Sequence, residues 1–449
     1  MPGHSLRDKI TGPGKAQRPR GFRSCGDQRR GLQLFRLNDT SPLYRNGMVS
    51  PTDIERARAR LDGRLLLTAC TLSEGFRDLI PAHPWFKFEN LQRTGSFKER
   101  GALNRMLMLT DEERARGVIA ASAGNHAQGV AYHAGILGIQ ATIVMPERTP
   151  LIKVSNTERL GARVVLFGHS YDEAQEETLR LRDREGQTLI HPFDDPGVIA
   201  GQGTIALELL EQCTGMDVVV VALGGGGLIS GMAVALKEFA PHVRIVGVEA
   251  ETLPAAARSR EAGRLVTIPP GETIADGIAV RRIGNVTFPL IEQHVDELVT
   301  VSEEEIASSV LLLLEREKSV VEPAAAATLA AVTSGKVGDV AGKNVVMVLS
   351  GGNIDVNLLS RIIDRGLIND GRLAQMEVTV LDRPGALAAL TALIARQGAN
   401  VLRLDHRRGT AALRITEAEV DLTLETRGRT HVDDLAAALR AAGYRVRRH

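Results

Sequence analysis

From about residue 117 onward, short apolar runs rich in β-branched residues alternate with longer stretches of helical period. The runs read GVIAAS, QATIVMP, ARVVLFG, DVVVVAL, RIVGVEA and NVVMVLS. Apolar on both faces, they suit strands of a largely parallel sheet covered by helices, so the pattern predicts an α/β domain. The first stretch of helical pattern, SPTDIERARARL, begins soon after Met48. After RLAQ, residues 372–375, the pattern changes. MEVTVLD, ALAALTALIARQG, NVLRLDHR, EVDLTLETR, HVDDLAAALRAAG and YRVRRH then predict strand, helix, two strands, helix and strand. That βαββαβ order is a compact ferredoxin-like unit. The expected organisation is an extension over 1–47, a main domain over 48–370, a connector at 371–375 and a small domain over 376–449.

Val218 to Leu236, VVVVALGGGGLISGMAVAL, is long enough without charge to resemble a membrane span. Four consecutive glycines inside it favour a buried strand, a glycine turn and a buried helix instead. No membrane association is therefore expected. Residues 1–47 hold ten Lys or Arg against three acidic residues and little apolar periodicity, and read as disordered. Met48 could be the true start, or the extension a targeting segment. With a net charge of +1, the chain offers no global field for nucleic acid. Cys25, Cys70 and Cys213 lack any C-x-x-C spacing, which argues against a zinc site or disulfide framework and fits a cytoplasmic setting.

Ligands of such folds sit beyond the carboxyl ends of strands. Three of the runs end there in glycine-bearing turns, ASAGNHAQG, LGGGGLISG and LSGGNID. With RTGSFKERG at 93–101 they make four segments able to meet at one cleft. Only nine of the 55 basic residues are lysines, and Lys98 lies in this last segment. A Lys amine can lose its proton and attack a carbonyl, whereas Arg is permanently protonated. At an unperturbed pKa of about 10.4, fewer than roughly one lysine in a thousand is neutral at pH 7, so such a site must desolvate it. A surface lysine is the alternative.

The glycine run at 224–227 follows an apolar strand and opens a helix, where backbone amides can hold a phosphate. It is neither a Walker loop nor G-x-G-x-x-G, since Ile229 takes the last glycine position, and a dinucleotide-dependent dehydrogenase loses support. Packing is the alternative, but four glycines exceed what a packing turn is expected to need. SAGNHAQG offers small residues and Asn125, as a carboxylate-binding loop would. Taken alone it reads as a capping turn with a solvated His126. LSGGN alone is a turn that presents Ser350 at a strand end.

GSFKERGA, SAGNHAQG, GGGGL, ADGIAV and LSGGN, in this order and spacing, closely resemble the threonine ammonia-lyases (threonine dehydratases). The resemblance spans about residues 50–370. DRPGAL and GANV resemble an ACT domain. The family implies fold type II, a tryptophan synthase beta-like pyridoxal-phosphate enzyme with two α/β subdomains. By this resemblance Lys98 forms a Schiff base with pyridoxal phosphate and Phe97 packs on its ring. Gly224, Gly225, Gly226, Gly227 and Leu228 hold the phosphate, Asn125 bonds the ring hydroxyl and Ser350 meets the ring nitrogen. Ser122, Ala123, Gly124 and Asn125 take the substrate carboxylate.

The implied reaction is loss of water and ammonia from L-threonine to give 2-oxobutanoate, with L-serine as a second substrate. The pathway could be isoleucine biosynthesis or threonine catabolism. Serine racemases resemble the chain too, but carry a hydroxyl residue where Ala123 stands. Their divalent-cation site is met by Glu249 alone, since Leu253 and Ala255 follow it, and no metal is expected. The ACT-like unit implies either an amino-acid effector, isoleucine, valine or another, near Asp382, Pro384, Gly385, Leu387 and Asn400, or a role in assembly alone, with a homodimer or homotetramer expected. An inactive amino-acid sensor on the same scaffold is the competing reading.

Overall fold

The computed structural model describes residues 49–408 and 414–448. The expected extension over 1–47, with Cys25 and Met48, lies outside the described residues. Fourteen strands are described: β1 Cys70–Leu72, β2 His83–Lys87, β3 Val118–Ala121, β4 Ala141–Met145, β5 Arg163–Leu166, β6 Thr188–Leu189, β7 Val218–Ala222, β8 Arg244–Ala250, β9 Glu297–Val301, β10 Asn344–Val348, β11 Leu373–Leu381, β12 Asn400–Arg407, β13 Glu417–Glu425 and β14 Arg445–Arg448.

All six apolar runs are strands, divided between two sheets. β3, β4 and β5 join β6 in a four-stranded parallel sheet of order β5-β4-β3-β6. β7, β8 and β10 lie in a six-stranded sheet of order β1-β2-β10-β7-β8-β9, parallel except for β1. These are two α/β subdomains. β2, HPWFK, carries no clean pattern, and it joins the sheet through its register with β10, from His83 opposite Asn344 to Lys87 opposite Val348.

β7 shows why the long uncharged stretch is not a span. Val218 to Ala222 are buried on both faces, and the helix Gly227–Phe239 that follows is buried along most of its length. A fully buried Val contributes about 1.5–3 kcal/mol, so this strand is a main anchor of the larger subdomain. Among the described residues no helix is long and apolar enough to cross a membrane. The helices Pro196–Gln212 and Gly227–Phe239 approach backbone to backbone: a Cβ on Gly231 would sit 2.2 Å from the Ile199 carbonyl oxygen.

The C-terminal unit is a four-stranded antiparallel sheet of order β12-β13-β11-β14. The helices Ala386–Arg396 and Arg429–Ala441 contribute their buried residues to the same core as the alternate inward positions of β11 and β13. β11 starts at Leu373, inside the stretch expected to be a connector. Its alternation begins early, with Ala374 and Met376 both facing the core. Gly371 and Arg372 are tied down, Gly371 by the Thr426 hydroxyl at 2.6 Å and Arg372 through a 2.6 Å pair with Glu315.

Candidate active site

Lys98 opens the helix Lys98–Leu107, and the segment before it is pinned to the end of β10. Ser96 makes an isolated bridge to Gly351, and the Phe97 N–H donates to the Ser350 carbonyl at 3.0 Å. Two segments far apart in the sequence are thereby laid side by side. The Lys98 amine donates to the Pro192 carbonyl at 2.9 Å and lies 5.2 Å from the centre of the Phe97 ring. Desolvation pulls it down to about 8, against the opposing pull of Glu322. Roughly a tenth of such amines are neutral at pH 7, far more than for an exposed lysine.

The residues after Lys98 anchor the helix below it. Glu99 accepts from His133 Nε2 at 3.1 Å and from the Arg93 N–H at 3.1 Å. Buried Arg100 reaches Glu89 through Nε and Nη2, each at 2.7 Å, and Glu208 through Nη1 and Nη2 at 2.5 and 2.9 Å. Lys87 closes the network with 2.5 Å to Glu208 and 2.8 Å to the Thr68 carbonyl. Two buried cations thus meet two buried carboxylates, the condition under which buried charge is tolerated. The sequence signalled only Lys98 here. Glu99 and Arg100 were missed because helix charges ordinarily face solvent.

The glycine loop corrects one expectation. Each of its glycines has a packing cause: a Cβ on Gly224 would lie 2.9 Å from Ile278 Cα, on Gly225 2.2 Å from Phe193 Cγ, and on Gly227 2.9 Å from Phe193 Cα. Gly226 has φ +93° and faces Thr287. Four glycines therefore do not exceed what packing needs. Anion binding falls instead to the helix Gly227–Phe239, whose N-cap Gly226 brings no capping side chain. Its first-turn amides are left for an outside acceptor.

A second correction concerns the loop after β3. His126 is buried, not solvated; its Nε2 contacts the Ile190 carbonyl at 2.7 Å, and burial together with Lys98 pushes it down to about 3. Gly124 caps the helix Asn125–Leu137 with no side chain, and its N–H donates to Ser122 Oγ at 3.2 Å. Asn125 Nδ2 donates to both oxygens of Glu322, at 2.8 and 3.0 Å.

The four segments surround one cavity of about 1050 Å³, and every residue expected to meet cofactor or substrate carboxylate lines it. Asn353, Glu322 and Phe193 line it as well. A buried, easily deprotonated amine facing an uncapped helix N-terminus fits a phosphorylated aldehyde, so these residues fit pyridoxal phosphate. Glu249 is spent on structure: burial pushes it up to about 7, and it accepts from the Ala256 and Ala257 N–H groups at 2.7 and 2.9 Å. Among the described residues no cluster of side chains could hold a metal ion.

In the C-terminal unit Asp382, Pro384, Gly385 and Leu387 share the turn from β11 into the helix Ala386–Arg396, with Gly385 at φ +87° and Asp382 paired to Arg408 at 3.0 Å. Asn400 is not in that turn. It pairs with Glu425 opposite Leu373, at the other end of the sheet, because the helix carries the chain back along β11 before β12 begins.

Residues 66–351 match the family described as pyridoxal-phosphate dependent enzyme, and residues 374–443 match the ACT domain. The chain is 48% identical over 400 residues to an L-threonine ammonia-lyase of Thermotoga maritima, covering 89% of this chain and 99% of that protein. Among solved structures it resembles threonine deaminase isoform 2 of Solanum lycopersicum, with TM-score 0.66 and 37% identity over 70% of this chain and 86% of that one. It also resembles maize serine racemase, with TM-score 0.67 and 34% identity over 72% of this chain and 98% of that one. The match runs from the first subdomain through the ACT unit, and the chain belongs to the threonine ammonia-lyase family of pyridoxal-phosphate-dependent enzymes.

Proposed function

We propose that this protein deaminates L-threonine to 2-oxobutanoate and ammonia, and L-serine to pyruvate. The observation that carries this reading is the Lys98 amine, brought down to about 8 and facing the same cavity as two helix N-termini without side-chain caps. Pyridoxal phosphate, when bound, supplies a sink for electrons released at the substrate α-carbon.

The chain's own groups do the rest. The amides of Gly224 to Leu228 would hold the phosphate at the head of the helix Gly227–Phe239, and Phe97 would pack against the ring. The Ser122 hydroxyl and the amides of Ala123 and Asn125 would take the substrate carboxylate at the head of the helix Asn125–Leu137, the Ser122 N–H being committed to the Val144 carbonyl and the Gly124 N–H to Ser122 Oγ. Asn125 orients the ring hydroxyl. Lys98, neutral in a useful fraction at pH 7, removes the α-proton, and the Pro192 carbonyl receives the resulting ammonium. Ser350, which lines the cavity, would offer the ring nitrogen a hydroxyl, a group that supports a positive charge there less than a carboxylate would. The released enamine tautomerises and hydrolyses to the 2-oxoacid and ammonia. Ala123 lines the cavity without a proton to give, which weighs against racemisation.

The ACT unit, residues 376–449 with its first strand reaching back to Leu373, is proposed to bind a branched-chain amino acid and to pair subunits into a homodimer or homotetramer. The family match over 374–443 supports it. A cytoplasmic place agrees with Cys70 and Cys213, buried free thiols that lie against one another. The experiment is the release of 2-oxoacid and ammonia from L-threonine and L-serine by purified protein, with and without isoleucine or valine. Absence of turnover on both substrates by protein carrying the cofactor overturns the reading.

A further inference from the structure

The carboxamide of Asn125 is held from both ends. Its Oδ1 accepts from Asn353 Nδ2 at 2.7 Å, while its Nδ2 donates to the two Glu322 oxygens at 2.8 and 3.0 Å. The same Asn353 amide donates to the Thr94 carbonyl at 2.8 Å, so its donor role is set by the backbone of the Lys98 segment. With Oδ1 committed, the amide cannot flip. Nδ2 carries two N–H groups, and Asn125 lines the cavity.

Glu322 is placed for this task. It stands at the N-cap of the helix Pro323–Thr333, yet its side chain makes no capping hydrogen bond to that helix. Space is kept for the carboxylate instead. A Cβ on Gly351 would lie 2.5 Å from Glu322 Oε1, and one on Gly277 3.3 Å from it. Glu322 is 4% exposed, and the groups that act on it are Asn125, the Asn353 N–H, Lys98, Lys153 and Asp276.

We propose that Glu322 is a positioning residue that aims the Asn125 amide at the ring hydroxyl of bound pyridoxal phosphate, and that its ionisation changes the electronic state of the bound cofactor. Desolvation pushes Glu322 up to about 7, so the charge that orients Asn125 appears near neutrality. Below that pH a protonated Glu322 holds the amide more weakly, and the ring hydroxyl loses part of its donor. The inference rests on the proposed reading only in placing the ring hydroxyl beside Asn125.

The test is the ultraviolet-visible spectrum of the holoenzyme titrated from pH 5.5 to 9 without substrate. Wild-type protein should show a transition near pH 7 that Glu322→Gln lacks while it still carries the cofactor. Turnover of threonine by Glu322→Gln at pH 8 should fall roughly ten-fold or more in kcat with little change in KM, the loss of one hydrogen bond to a charged group. Asn353→Asp, which can no longer donate to Asn125 Oδ1, should perturb the same spectral transition, and it decides the matter if Glu322→Gln fails to fold. A transition that is unaltered in both variants assigns it to Lys98 and overturns the proposal. Because no substrate is present, a protein that titrates as expected but leaves threonine untouched refutes the lyase reading and keeps this one.

Discussion

The Lys98 amine rests 2.9 Å from the Pro192 carbonyl, held by the loop between β6 and the helix Pro196–Gln212. This acceptor comes from the loop after the smaller subdomain's last strand, while the residues just before Lys98 are pinned to the end of β10 in the larger one. The amine is therefore fixed from two sides with its lone pair available whenever it is neutral.

Replacing Lys98 by Ala should lower turnover of threonine at least a thousand-fold, since general-base and covalent roles are lost together, about 10²–10⁴ for the base alone. Lys98→Arg should be equally inactive, because a guanidinium neither condenses with an aldehyde nor gives up its proton. The check is ammonia release in purified variants, and substantial residual release would falsify the assignment of Lys98.

Arg100→Ala should destabilise the fold by about 3–5 kcal/mol, because it leaves Glu89 and Glu208 buried with one cation, Lys87, between them. Urea unfolding of the apoprotein measures this. A loss under 1 kcal/mol would mean that water or a shifted Lys87 takes the place of the guanidinium.

Gly225→Ala puts a methyl into the Phe193 ring and should cost about 1–3 kcal/mol by overpacking, with weakened retention of pyridoxal phosphate as the loop shifts. Pairing it with Phe193→Ala should recover part of the stability, since the collision is with that ring. Thermal melts and dialysis against the cofactor separate the two effects.

A chain ending at Asp370 should keep its cofactor and most of its turnover, and lose any response to isoleucine or valine. Among the described residues the side-chain ties at the junction are few and include Arg372 with Glu315, Thr426 with the Gly371 carbonyl and Arg429 with the Asn369 carbonyl. Loss of the cofactor from this truncated protein would show that the ACT unit supports the catalytic fold.

Glu249→Gln should alter the pH dependence of stability. Burial raises the folded value to about 7 from an ordinary 4.5, so the protonated carboxyl is the form that folding prefers. That contribution is complete below pH 4.5 and is lost as pH rises through about 7, amounting to about 3 kcal/mol in all. Urea midpoints between pH 4.5 and 7.5 should therefore fall more steeply for wild type than for Glu249→Gln. Parallel curves would mean that the two helix N–H bonds keep Glu249 charged.

The sequence alone determined what depends on neighbours along the chain. The apolar runs gave strands, the glycine turns fell at the carboxyl ends of β3, β7 and β10, and the βαββαβ order of the last unit was readable from period alone. Lys98 stood out because its residue type is rare here and its chemistry cannot be supplied by Arg. Tertiary structure decided the rest, since contacts between distant segments leave no local signal. Asn125 meets Glu322 across 197 residues and Asn353 across 228, and Arg100 meets Glu208 across 108. The division of the runs between two sheets, the packing need for each glycine of the loop, the burial of His126 and the separation of Asn400 from the Asp382 turn are likewise set by how backbones approach one another. A side chain's pattern position says which way it faces, but only the packed fold says what it faces.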